Sequence, residues 1–306
     1  MSPTNGSIGV VIPSYKSAAY VGAAVESVLA QTRSDWRLVV VDDGSPQRDL
    51  AIASAAAGGD PRCEFINQTN QGVSAARNRG ASNLRDHVSK LLFLDADDVL
   101  EPSALQDLAD VMESAPTAVA AFGNVSIVDE LGAVVHVPDP HRFSDGGFAS
   151  LEEIYFRNPA ICPSSVLIDA ATFWQVGGFD QRFSFIADVE LYLRLALVGP
   201  LVGVRPITVR YRRHATGMTT ASTDAGHEEI RRMRAHAHNL PGATRRQREA
   251  IRRGWRRHNL VRTKEALRAF REPGAGKARS MAKAVAHLTL TAIGRPVDLS
   301  RRRPDR

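Results

Sequence analysis

The first hundred residues alternate short, continuously apolar runs with stretches in which apolar side chains recur every three or four positions. The continuous runs predict strands buried on both faces, and the recurring pattern predicts helices with one packed side. Strands are expected over residues 8–12, 37–41, 64–67 and 91–94. Between them, helices are expected over 19–31, where Val21, Ala24, Val25, Val28 and Leu29 share a face, and over 50–57 and 72–83. Strands alternating with helices predict an α/β chain with a Rossmann-like, mainly parallel sheet flanked by helices. Three of the strands run into polar residues: Pro13-Ser14-Tyr15, Asp42-Asp43-Gly44-Ser45 and Asp95-Ala96-Asp97-Asp98. Ligands of open α/β sheets lie beyond the carboxyl ends of the strands, so these loops are expected to converge on one crevice.

From residue 101 the pattern is mixed, with strands expected near 119–122, 134–136 and 166–169 and a helix near 189–198. These elements complete one domain over 1–220. Beyond it, Arg- and Lys-rich helical segments over 226–239, 244–270 and 276–291 are separated by Pro241-Gly242 and Pro273-Gly274, which break helices. Charge divides at the same place. Residues 221–306 carry 22 Lys and Arg against 8 Asp and Glu, a formal +14, whereas residues 1–220 carry 17 against 25, a formal −8. A basic extension on an acidic body is drawn to anionic lipid, nucleic acid or an acidic partner.

Apolar residues make up 43% and charged residues 24% of the 306, which excludes a disordered or fibrous chain. Cys63 and Cys162 make no metal-ligand or redox spacing and are expected to be inert thiols of a reducing compartment. No secretory signal pattern and no apolar run long enough to span a bilayer is present, so cytoplasmic residence is expected.

The crowded carboxylates of Asp95, Asp97 and Asp98 repel one another, and a hard divalent cation offsets that cost; the alternative is a polar turn in which Asp98 caps the next helix. Asp42 could accept the N3–H of uracil or thymine while Arg77 supplies the matching donor, or Asp-Gly-Ser could be a turn alone. Asp188 opens a helix and is either its electrostatic cap or a proton acceptor in a cleft. His214 is a candidate ligand or a structural residue, and Arg212 and Arg213 beside it suit a diphosphate or begin the basic extension.

Taken in order, the motifs around Pro13, Asp42-Asp43, residues 70–78, residues 94–98, Gly177-Gly178-Phe179-Asp180 and Asp188 resemble glycosyltransferase family 2, an inverting group with the GT-A fold. The resemblance covers about residues 8–220 and implies a nucleotide-binding half at about 1–100 and an acceptor half at about 101–220. It implies that Pro13, Tyr15, Asp42 and Arg77 surround the donor's base with Asp43 nearby, and that Asp95 approaches the ribose. Asp97 would hold Mn²⁺ or Mg²⁺, Asp98 would support it, and His214 would lie near the metal or diphosphate. Asp188 would be the general base. The family often has Asn after the tyrosine and an acid before the base, where this chain has Lys16 and Ala187; Glu190 is the substitute base.

The expected activity is transfer of a sugar from a nucleotide diphosphate, UDP or dTDP favoured, to a hydroxyl of a glycan, lipid-linked glycan or metabolite. The alternatives are a nucleotidyltransferase acting on sugar phosphates and a non-catalytic nucleotide-sugar-binding scaffold. The extension is expected either to pack Ile251, Trp255, Val261, Leu267 and Phe270 on the catalytic domain, or to hold the enzyme against an anionic membrane at its inner face. Few aromatics and no DNA-reading motif leave nucleic acid with charge as its only support, and no nucleic-acid partner is expected.

Overall fold

The computed structural model describes residues 7–46, 48–138, 147–149, 151, 152, 154, 162–215, 217 and 224–271. The chain divides into two units, one comprising Met1–Ser150 and Pro159–Ser222, the other Leu151–Asn158 and Thr223–Arg306.

The first unit opens with β1 (Ile8–Ser14), α1 (Val21–Leu29), β2 (Trp36–Asp42), α2 (Asp49–Ala57), β3 (Cys63–Asn67), α3 (Val73–Asn83) and β4 (Lys90–Phe93). It continues through β5 (Val99–Leu100), α4 (Ala104–Ser114), β6 (Ala120–Val128), β7 (Val134–His136), β8 (Phe148–Ala149) and β9 (Val166–Asp169). α5 (Ala170–Gln175), α6 (Ala187–Val198) and β10 (Leu201–Arg212) complete it. One ten-stranded sheet runs β3-β2-β1-β4-β9-β6-β10-β5, with β7 on β6 and β8 on β10.

The apolar runs form strands because both faces of the sheet are covered. Ile8, Val10 and Ile12 join Leu38 and Val40 in a core with Val21, Val25 and Val28 of α1 and Leu105 and Leu108 of α4. The alternate positions face α3, where a side chain on Gly80 would meet Val11 Cγ1 at 2.4 Å and Val41 Cγ2 at 3.2 Å. The absence of a side chain at 80 is what lets α3 lie this close to β1.

β1 to β4 are parallel, as expected. The second half is mixed, because β9 lies between β4 and β6 and runs against both. That reversal places the start of β9, a 3₁₀ turn over Pro163–Ser165, at the carboxyl end of β4. The pattern assigns no element to residues 201–212, yet β10 is a long strand. Pro206 and shifts of register between Gly203 and Val209 hide it from a pattern search. It pairs in parallel with β6 and, through Val209 and Leu100, antiparallel with β5. The pairing with β5 brings the residues after Asp98 alongside the end of β10.

The second unit contains α7 (Asp224–Ala237) and α8 (Arg245–Arg271), and the expected helix over 276–291 lies outside the described residues. On α8, Ile251, Trp255, Asn259 and Thr263 form a buried stripe, with Trp255 stacked against His258 at 6.4 Å. Arg246, Arg252, Arg253, Arg256 and Arg257 are exposed. Val261, expected to be packed, is instead exposed beside Leu260; Leu267 and Phe270 lie outside the described side chains. Among the described residues, no helix is long and apolar enough to cross a membrane.

Gly80→Val is expected to lower stability by about 2 kcal/mol or more, since overpacking typically costs about 1–3 kcal/mol and a branched side chain adds crowding in a helix. The urea unfolding midpoint checks this; an unchanged midpoint would mean that α3 is not seated on β1 as described.

Candidate active site

The registers put the strand ends level. Ser14 pairs with Asp42 and Asp42 with Asn67, while β4 ends beside Val11, so the three polar loops open on one edge of the sheet. At the first two loops, Pro13 is buried and Tyr15 is 45% exposed. Asp42 is buried, and its Oδ1 accepts the Ser45 amide at 3.0 Å. Asp43 accepts from Gln68 Nε2, the Gln71 amide and the Gly72 amide, each at 2.8 Å. It therefore organises the turn that leads into α3.

Asp49, which sequence reasoning missed, is fully buried at the start of α2. Its Oδ2 accepts from the Ser14 hydroxyl at 2.9 Å, the Ser17 amide at 2.7 Å and the Ser45 hydroxyl at 3.0 Å, and its Oδ1 has no partner among the described residues. One carboxylate oxygen thus ties the loop after β1 to the loop after β2. Lys16, in that first loop, has φ +56°, the left-handed region that costs most residues about 1–2 kcal/mol and that Asn tolerates better. The resemblance's preference for Asn after the tyrosine acquires a physical reason here.

At the end of β4, Asp95 accepts from Arg77 Nη2 at 2.5 Å. Asp97 is half-buried, with Oδ2 2.8 Å from His214 Nε2. Asp98 is buried: Oδ2 accepts the Ser164 hydroxyl at 2.6 Å and Oδ1 the Arg212 amide at 3.0 Å. Ser164 also accepts the Asp95 amide, at 3.0 Å. Asp98 therefore does not cap α4, whose first residue follows Ser103; it joins the ends of β4, β9 and β10. The side chain of Arg212, read as suited to a diphosphate or as the start of the basic extension, is committed to backbone carbonyls, whereas Arg213 is exposed. Burial holds the Asp98 carboxyl well above the usual carboxylate range, and the charges of Asp97 and Asp95 add to the rise.

α6 presents Asp188 in its first turn. The approach to it is fixed by α3: Asn78 exchanges hydrogen bonds with Phe179, at 2.8 and 2.9 Å, and the Ser74 hydroxyl donates to the Phe183 carbonyl at 2.7 Å. Gly178 carries φ +69°, and a side chain there would press on Asn78 Oδ1 at 2.8 Å. Burial pushes the Asp188 carboxyl up to about 6; the Val189 amide and the Arg77 guanidinium oppose the rise, and the Asp95 charge adds to it. Arg77, Asp95 and Asp188 thus share one electrostatic cluster. Ala187 is buried, and Glu190, also buried, pairs with Arg194 at 2.6 Å. A carboxyl near 6 in a crevice is suited to proton exchange near neutral pH.

Residues 9–177 match the sequence profile of the family described as Glycosyl transferase family 2. The chain belongs to glycosyltransferase family 2. Chondroitin synthase of Escherichia coli is 27% identical over 215 residues, covering 70% of this chain and 30% of that protein. An uncharacterized glycosyltransferase of Haemophilus influenzae is 28% identical over 191 residues, covering 61% of each. The chain spans about a third of the length of the first curated relatives it matches. Among solved structures, S. aureus TarS 1–349 in complex with UDP-GlcNAc aligns with a TM-score of 0.71 at 17% identity, over 95% of this chain and 82% of that one. The fold is accordingly the GT-A arrangement expected of a family 2 chain.

Lys16→Asn is expected to raise stability by roughly 0.5–1 kcal/mol by relieving the left-handed backbone. Thermal unfolding checks this, and a lowered Tm would mean that the Lys16 backbone is not left-handed in solution.

Proposed function

We propose that this family 2 chain is an inverting, divalent-metal-dependent glycosyltransferase that moves a sugar from a UDP or dTDP donor to an acceptor hydroxyl. The observation that carries the reading is Asp188, raised towards neutrality in the same cluster as Arg77 and Asp95. The UDP-GlcNAc named for the TarS structure supports a uracil donor.

In this reading the base lies among Pro13, Tyr15, Asp42 and Arg77, on the wall that Asp43 and Asp49 brace. Asp95, held by Arg77, faces the ribose. Asp97 and His214 fit a hard divalent ion such as Mn²⁺ or Mg²⁺, since a half-exposed carboxylate oxygen and an imidazole nitrogen converge to 2.8 Å. Asp98 supports them from behind, its oxygens engaged by the protein. When bound, the ion neutralises charge on the departing diphosphate. Asp188 takes the proton from the acceptor hydroxyl as that oxygen bonds to the anomeric carbon. The bond from that carbon to the diphosphate oxygen breaks on the opposite face, which inverts the centre.

The acceptor is a glycan, a lipid-linked glycan or a metabolite. The reading includes a cytoplasmic enzyme, supported by the free thiols of Cys63 and Cys162, with α8 resting on an anionic membrane through exposed arginines such as Arg246 and Arg256. Full-length chain is expected to co-sediment at low salt with vesicles containing phosphatidylglycerol and not with pure phosphatidylcholine; equal recovery with both ends the membrane part.

A panel of nucleotide sugars, assayed with Mn²⁺ present or chelated, tests the reaction. One nucleotide is expected to be released by wild type, and by neither the chelated enzyme nor Asp97→Ala; chelator-insensitive release would remove the metal from the scheme. As a base, Asp188 works only when ionised. Turnover should therefore fall about tenfold per pH unit below about 6 and level off above it, and Asp188→Asn should lose about 10²–10⁴-fold while still binding UDP. A flat profile between pH 5 and 7 would assign the base elsewhere.

A further inference from the structure

We infer that Arg212 is a positioning residue for the metal end of the site: its guanidinium fixes the Asp97–His214 pair, and is not a phosphate ligand. The inference rests on the reading that Asp97 and His214 hold the divalent ion. Arg212 Nε donates to the Asp97 carbonyl at 3.0 Å, and Nη1 donates to the carbonyls of Asp129 at 3.2 Å and Glu130 at 3.0 Å. Its backbone amide donates to Asp98. One residue therefore ties together the loop after β4, the turn between β6 and β7, and the end of β10.

The same side chain reaches His214 by a second route. The guanidinium lies over the Tyr20 ring at 5.1 Å, and Tyr20 meets the His214 ring at 5.0 Å between centroids. On the far side of His214, the Ala215 amide donates to Glu130 Oε1 at 3.0 Å, and Glu130 is a residue whose carbonyl Arg212 holds. His214 is thus bracketed before, behind and across its ring by a single network. The turn that anchors this network is itself rigid, since Asp129 Oδ1 accepts the amides of Leu131 and Ala133 at 3.0 and 2.9 Å.

Three carbonyls approached from a planar fork are a geometry that an ammonium group does not reproduce. Groups that orient metal ligands from the next layer typically change metal affinity by about 10–100-fold when lost. A brace for the fold alone would alter stability and leave Mn²⁺ affinity untouched in the folded variant.

The test measures Mn²⁺ affinity by electron paramagnetic resonance of free Mn²⁺, on the full chain saturated with UDP, alongside uridine affinity by calorimetry. Arg212→Lys is expected to bind Mn²⁺ about 10–100-fold more weakly while uridine affinity stays within about twofold of wild type. Glu130→Ala and Tyr20→Leu, which leave Arg212 in place, are expected to weaken Mn²⁺ in the same direction by a smaller factor, and they decide the matter if Arg212→Lys does not fold. Wild-type Mn²⁺ affinity in a folded Arg212→Lys, or equal loss of uridine and Mn²⁺, overturns the inference. A wild type that binds UDP and no Mn²⁺ overturns the metal reading itself, and the inference with it.

Discussion

The site is organised around the ion pair of buried Arg77 and half-buried Asp95. Asp95, Asp97, Asp98 and Asp188 are linked electrostatically, and Arg77 is the guanidinium that acts on both Asp95 and Asp188. Burial raises the Asp95 carboxyl, and Arg77 works against that rise. Removing one member of such a pair leaves the other charge uncompensated in a poor solvent, which costs more than the pair contributes when intact.

Arg77 is useful only if α3 does not move. Three contacts distribute that task along the helix: Ser74 on the Phe183 carbonyl, Asn78 on the Phe179 backbone, and Gly80 against Val11 and Val41. The first two act on the segment that leads into α6, so the helix that carries the cation also sets where Asp188 emerges. The Phe93 ring meets Phe179 edge-on at 4.8 Å, which adds apolar packing to the same junction.

The parallel half of the sheet was legible because its strands are apolar on both faces and end in polar loops. The alternation that would betray β10 is broken by Arg205, Pro206 and a bulge, and its partners lie about eighty residues earlier. Distance along the chain also hid Asp49, Ser164 and Tyr20, whose partners are fixed by topology and carry no local signature. The partners of Asp98 were beyond the sequence for a related reason. Adjacent side chains diverge, and only the reversal of β9 decides that Ser164 meets Asp98. In α8 the helical period located Ile251 and Trp255 in the buried stripe but did not place Val261 outside it.

The convergence of three donors on one oxygen of Asp49 has an evolutionary consequence. Ser14 ends β1, Ser17 follows it and Ser45 follows β2, yet each satisfies the same acceptor, so a change at any of them alters the value of the others. Residues coupled through one partner depart from additivity by about 0.5–3 kcal/mol. Substitutions at these positions should therefore be epistatic, and lineages that alter the loops after β1 and β2 are expected to exchange these residues as a set, with paths that replace them singly passing through less fit intermediates.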